Sequence, residues 1–211
     1  MINVLSVKNE LEVFLDRHLG DDYFGCIYGS YAVGTNNDKS DVDLFIASSK
    51  VDKGKFEKIK NFVIDFHRRN QLSLDEEVPY ENKLFVDYKD VKDAAQLGGF
   101  DKKNDLIVVP AIQKNIIFLS SRPIRLRLIF NALTTPHIFF GRNEKAYFEY
   151  KLIAEKNLCF LSSHLSNCVP IDSRLDILLN GPNGVDGEMF LGYKKYPKVI
   201  DYLSQILNDR K

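Results

Sequence analysis

Apolar residues along the first seventy positions alternate between two periods. Leu5, Leu11, Phe14, Leu15 and Leu19 recur near helical spacing, which predicts an amphipathic helix over residues 5–19. Gly20-Asp21-Asp22 then stops it. Tyr23 to Tyr28 reads as a short buried strand. Gly29 to Ser40 is a polar, glycine-bearing turn region with a second helical candidate around Tyr31–Val33, and Asp41 to Ala47 reads as a second strand. Residues 52–70 predict a charged helix with Phe56, Ile59, Phe62, Val63 and Phe66 on one stripe. A third strand is expected over Leu72–Val78, cut by Pro79, and a fourth over Lys83–Asp87.

Beyond this point the pattern is mostly helical. Asp90–Leu97 reads as helix, and Leu106–Pro110 and Ile116–Leu119 are short apolar runs. Pro123 opens a helix through about Leu133, ended by Thr134-Thr135-Pro136. His137–Phe140 is another short apolar run, and Glu144 to about Leu165 is a long helix. Leu175–Leu179 and the turn Asn180–Gly184 precede a last helix over about Pro197–Leu207. The pattern therefore predicts an α/β (α+β) core over residues 1–90 and a mostly helical region over 91–211 that completes a substrate cleft.

A chain of 211 residues is long enough for one sizeable core, or one core and a small helical annex. Hydrophobic residues at 45% and charged residues at 27% are ordinary for a soluble globular protein. No apolar run reaches the ~18 residues of a membrane span. The first twenty residues lack the basic start and apolar stretch of a signal peptide. Cys26, Cys159 and Cys168 sit far apart without paired spacing, which argues against a disulfide framework or a zinc site and makes a reducing cytoplasm the default location. Lys+Arg and Asp+Glu are equal at 29 each. Proteins that grip long nucleic acid usually carry net positive charge, so the balance argues against a polymer substrate, although a local basic groove would still serve one.

The chemistry is concentrated in Gly29-Ser30-Tyr31-Ala32-Val33-Gly34-Thr35-Asn36-Asn37-Asp38-Lys39-Ser40-Asp41-Val42-Asp43-Leu44. Asp41 and Asp43 are two apart on an expected strand, so both carboxylates leave one face while Val42 and Leu44 face the core. Two adjacent carboxylates repel unless a cation lies between them. Mg²⁺ suits a site of carboxylate, water and phosphate oxygens. Gly29 lacks a side chain, so a phosphate can approach its backbone, and Ser30 adds a hydroxyl. A short helix after it would favour an anion at its N-terminus.

A Gly-Ser, a spacer of about ten residues and Asp-x-Asp resemble the signature of the DNA polymerase beta superfamily of nucleotidyltransferases. The resemblance covers roughly residues 22–90, and the short length is similar to that of the antibiotic and minimal, toxin–antitoxin-type members. It implies a nucleotidyltransferase core with a small mixed sheet flanked by helices. It also implies transfer of a nucleoside monophosphate from an NTP such as ATP to an acceptor hydroxyl or phosphate (EC 2.7.7 type), with two Mg²⁺ ions, or Mn²⁺, on Asp41 and Asp43. The neutral charge and small size point to a small-molecule acceptor. The alternatives are a toxin-type enzyme acting on a protein or tRNA, and a non-catalytic nucleotide-binding domain.

The superfamily usually adds a third carboxylate on a later strand, as metal ligand or general base. Alternation over Leu72–Val78 places Ser73, Asp75 and Glu77 on the polar face, so Asp75 is the first candidate and Glu77 the second. A cation near the triphosphate is also expected. Lys83 is taken as the candidate, with Arg122, Arg125, Arg127 and Lys39 also possible, and solvated surface is the simpler reading of any one of them, Lys83 included. His18, His67, His137 and His164 have no ligand spacing and read as structural or surface residues. His67 lies beside Arg68 and Arg69 at a helix end, where positive charge suits the dipole. The aromatic and basic stretch Gly187–Tyr196 could cover a base or acceptor, though packed loops more often have this composition.

Overall fold

The computed structural model describes residues 3–37, 40–74, 80–96 and 124–166. Asp75, Glu77, Lys39, Arg122 and the Gly187–Tyr196 stretch lie outside them. By contact the chain divides into two compact units, Met1–Val91 with Pro136–Glu149, and Lys92–Thr135 with Tyr150–Lys211.

The first unit is built on a four-stranded mixed sheet of order β3-β2-β1-β4: β1 is Phe24–Ile27, β2 Leu44–Ser48, β3 Phe85–Asp87 and β4 Ile138–Gly141. β1 pairs antiparallel with β2 and with β4, whereas β2 and β3 are parallel. Helix α1 (Val4–Leu19) is capped by the Asn3 side chain, which accepts from the Leu5 amide, and buries Val7, Leu11, Leu15 and Leu19. Helix α3 (Lys53–Arg69) is capped by Asp52 and buries Ile59, Val63, Phe66 and His67. Between them α2 (Gly29–Val33) is a single short helix. These faces close one core with Tyr23, Ile27, Tyr31, Val42, Leu44, Ile46, Leu84, Phe85 and Phe140. Helix α4 (Tyr88–Ala95) follows β3, and α5 (Ile124–Thr134) and α6 (Glu144–Ser166) lie further along the chain. In the second unit Ile129, Phe130, Ala132, Leu133 and Ala154 are buried. No described helix is long and apolar enough to cross a membrane.

Two strands differ from expectation. Leu72–Leu74, the described part of the expected third strand, joins no sheet. Both edges of β2 are already taken, by β1 and β3, and both edges of β1 by β2 and β4. The strand expected over Lys83–Asp87 is present as β3, and the sheet is completed by β4 from the run near His137–Phe140, beyond the expected boundary near residue 90. β4 is tied to α1 by the Gly141 amide donating to Glu12 Oε1 at 3.0 Å, and by Arg142 pairing with Asp16 at 2.7 Å.

Candidate functional site

The antiparallel register of β1 and β2 creates the site. Ile27 stands opposite Leu44, and one step further the Tyr28 amide donates to the Asp43 carbonyl at 2.9 Å. The chain then leaves the sheet at Gly29, which therefore lies directly beside Asp43. A Cβ on Gly29 would overlap Asp43 Oδ2 and stand 3.2 Å from its Cγ. The backbone there is also left-handed, with φ +69°, a conformation that favours glycine. The space left by the missing side chain is thus filled by the Asp43 carboxylate, where the sequence suggested room for a phosphate.

Ser30 follows in the first turn of α2 and is half-buried. Its carbonyl accepts the amides of Gly34, the left-handed cap of the helix, and Thr35. Toward the end of the spacer, Asn37 N–H donates to Ser40 Oγ at 2.9 Å and Ser40 N–H to the Asn37 carbonyl at 3.0 Å. Asp41 follows directly. β2 begins only at Leu44, so both aspartates precede the strand rather than sit within it. The alternation nevertheless extends back through them, with Val42 and Leu44 buried and Asp41 and Asp43 half-exposed.

The parallel pairing of β2 with β3 supplies a cation. Ile46 lies opposite Phe85 and its amide donates to the Leu84 carbonyl, which places Lys83 beside the start of β2. Lys83 is buried at 4% exposure, and its Nζ lies 3.5 Å from Asp43 Oδ1. It is a counter-ion to Asp43 rather than a solvated lysine. Tyr80 opens the turn before it, with its carbonyl accepting the amides of Lys83 and Leu84. Burial, and then the charges of Asp41 and Asp43, raise the phenol's pKa. Among the described residues its hydroxyl has no hydrogen-bond partner.

His67 is structural, as a buried group rather than a positive charge at the helix end. It is 1% exposed, with Nδ1 2.8 Å from the Val63 carbonyl and Nε2 3.1 Å from the Val42 amide. Burial lowers its pKa, against the opposing effects of the Val63 carbonyl and Asp41, so it is neutral near pH 7. The other described histidines keep structural roles: the ring of His18 packs on Phe14, and His137 Nε2 meets the Tyr147 hydroxyl at 2.6 Å. The sequence reading missed both His67 and Tyr80 as parts of this site. His67 had a legible signal, because it falls four residues after Val63 and eight after Ile59 on the buried stripe of α3. Tyr80 had none.

Among the described residues Gly29 and Lys83 thus both meet Asp43, Ser30 follows Gly29 in α2 and Asp41 lies two residues before Asp43, and no group of three acidic, histidine or cysteine side chains is arranged as metal ligands. Residues 8–110 match the family model for the nucleotidyltransferase domain. No curated protein and no solved structure gives a significant match to the chain.

Proposed function

We propose that this chain, whose residues 8–110 match the nucleotidyltransferase domain model, transfers a nucleoside monophosphate from an NTP to a hydroxyl or phosphate of a small-molecule acceptor, releasing pyrophosphate. The observation that carries the reading is the juxtaposition of Gly29 with Asp43 at the end of β1, with Asp41 two residues earlier and likewise half-exposed.

Two half-exposed carboxylates two residues apart fit a hard divalent cation, which takes one or two protein carboxylates and completes its shell with water and phosphate oxygens. Asp41 and Asp43 would hold Mg²⁺, or Mn²⁺, and a second ion would need a further carboxylate, for which Asp75 and Glu77 remain the candidates. Such ions supply charge stabilisation for the attacking and leaving oxygens of an in-line displacement. This chain's own residues do the positioning. Ser30 offers a hydroxyl and the first-turn amides of α2 to a phosphate. Lys83 offsets the charge of Asp43 and adds positive charge beside the phosphates.

The position of Lys83 also favours a second reading. An ammonium 3.5 Å from Asp43 occupies part of the electrostatic role of a cation, as expected for a domain that binds nucleotide without turning it over. One experiment separates the two. Purified protein is incubated with each labelled NTP, Mg²⁺ and a metabolite extract, with Asp41→Asn and Asp43→Asn alongside. Metal-dependent label transfer that falls more than about tenfold in both variants, roughly 1.4 kcal/mol of barrier, supports the enzyme. Nucleotide binding without transfer supports the second reading.

A further inference from the structure

We propose that His67 is a positioning residue for the aspartate pair: its neutral imidazole accepts the Val42 amide proton and fixes the backbone from which both carboxylates project. The inference rests on the reading of Asp41 and Asp43 as metal ligands.

The partners assign the tautomer. A carbonyl oxygen only accepts, so at 2.8 Å from the Val63 carbonyl His67 Nδ1 must carry the proton. A backbone amide only donates, so at 3.1 Å from the Val42 nitrogen Nε2 must present its lone pair. Protonated imidazole, or the opposite tautomer, would face the Val42 N–H with another N–H.

The Val42 amide needs this partner because of where it lies. Asp43 bonds toward β1, its carbonyl accepting the Tyr28 amide, so the Val42 amide faces the opposite edge of the strand, where the pairing with β3 begins only at Ile46. Val42 is itself 5% exposed. A buried amide beyond the end of a ladder costs free energy unless something accepts from it. His67 accepts from the far side of the core, and its own backbone is fixed in turn. The Leu72 amide returns to the His67 carbonyl at 2.9 Å, across a turn in which Gln71 has φ +55°. Val42 is thus held through its buried side chain and its amide, and the carboxylates on either side inherit that position. Partners that orient ligands typically change metal affinity about 10–100-fold when removed.

The test compares His67→Phe, which keeps a ring without an acceptor, with His67→Gln, which restores an acceptor oxygen. Mn²⁺ binding is measured by electron paramagnetic resonance without nucleotide, and folding by thermal melts. The imidazole nitrogens of ¹⁵N-histidine-labelled wild-type protein are read by NMR. The expected result is a wild-type Nδ1–H tautomer, Mn²⁺ affinity reduced at least about tenfold in His67→Phe, and recovery in His67→Gln. A folded His67→Phe with wild-type Mn²⁺ affinity would overturn this proposal alone. Wild-type protein that binds no Mn²⁺ would overturn the metal reading and this proposal with it. Should the variants not fold, the wild-type spectrum decides: an Nε2–H tautomer sinks the proposal, and Nδ1–H supports it.

Discussion

Asp41 and Asp43 are equivalent in the sequence pattern but not in the structure. Like-charge repulsion alone would make either Asp→Asn change neutral or slightly stabilising. Asp43, however, faces the buried ammonium of Lys83, while its own side chain is 28% exposed. Neutralising Asp43 leaves that ammonium opposite an amide. Breaking a fully buried pair costs about 3–5 kcal/mol. The 3.5 Å separation, the exposure of Asp43 and the further interactions of both residues reduce this. Asp43→Asn is expected to lose about 1–2 kcal/mol of stability, and Asp41→Asn none. Urea midpoints of the two variants at pH 7.5 check this, and equal midpoints would remove Lys83 as the counter-ion.

His67 gives a second expectation at the same scale. Its pKa is held down in the folded state by burial, with Lys83 acting in the same direction and the Val63 carbonyl and Asp41 against it. The unfolded imidazole titrates near ~6.5. Below that pH the unfolded chain binds the proton more readily than the folded one, so the contribution is complete above about 6.5 and lost progressively as pH falls toward the folded pKa. The slope is at most about 1.4 kcal/mol per pH unit. Carboxylates add their own acid dependence, so the informative quantity is a difference. Stability measured at pH 7.5 and 5.5 should fall more in wild type than in His67→Gln, and parallel losses would show that His67 is charged in the folded protein.

At the scale of elements, Gly25 shows how tightly the central strand is packed. It pairs with Ile46 on one side and Phe140 on the other. A Cβ there would stand 2.6 Å from both the Phe45 carbonyl oxygen and Phe140 Cε2. The ring could turn, but the carbonyl belongs to the sheet backbone. Gly25→Ala should therefore cost about 1–3 kcal/mol or more, the usual range for overpacking, read as a lowered urea midpoint. An unchanged midpoint would mean that the Phe45 carbonyl does not close on Gly25. The same strands show what was legible in advance. Helices α1 and α3 followed from apolar spacing because each buries a single stripe. β1 and β2 were legible as apolar runs bounding the polar turn, and the alternation at Asp41–Leu44 held even though the strand starts later. β4 is only four residues long and was read as an apolar run of no assigned type. Its pairing with β1 spans more than a hundred residues of chain, and no local pattern carries that information. The buried state of Lys83 was hidden for the same reason, since it depends on the parallel pairing of β2 with β3.

At the scale of the whole molecule, charge decides between acceptor classes. The 29 basic residues are matched by 29 acidic ones, and several cations of the first unit are already engaged. Lys60 pairs with Glu81, Arg69 with Glu10, Arg142 with Asp16 and Lys55 with Asp52, while Lys83 is buried beside Asp43. A protein making about 6–10 phosphate contacts loses about 10³–10⁵ in affinity between 50 and 200 mM salt. A small acceptor held by a few groups responds mainly through screening, which acts over about 10 Å at 0.1 M. The apparent affinity for the best acceptor from the labelled-NTP screen, measured at saturating Mg²⁺, is therefore expected to fall less than about tenfold between those two concentrations. A drop of several hundredfold would mean that enough cations converge on one face to neutralise a row of phosphates, and tRNA would replace the small molecule as the acceptor.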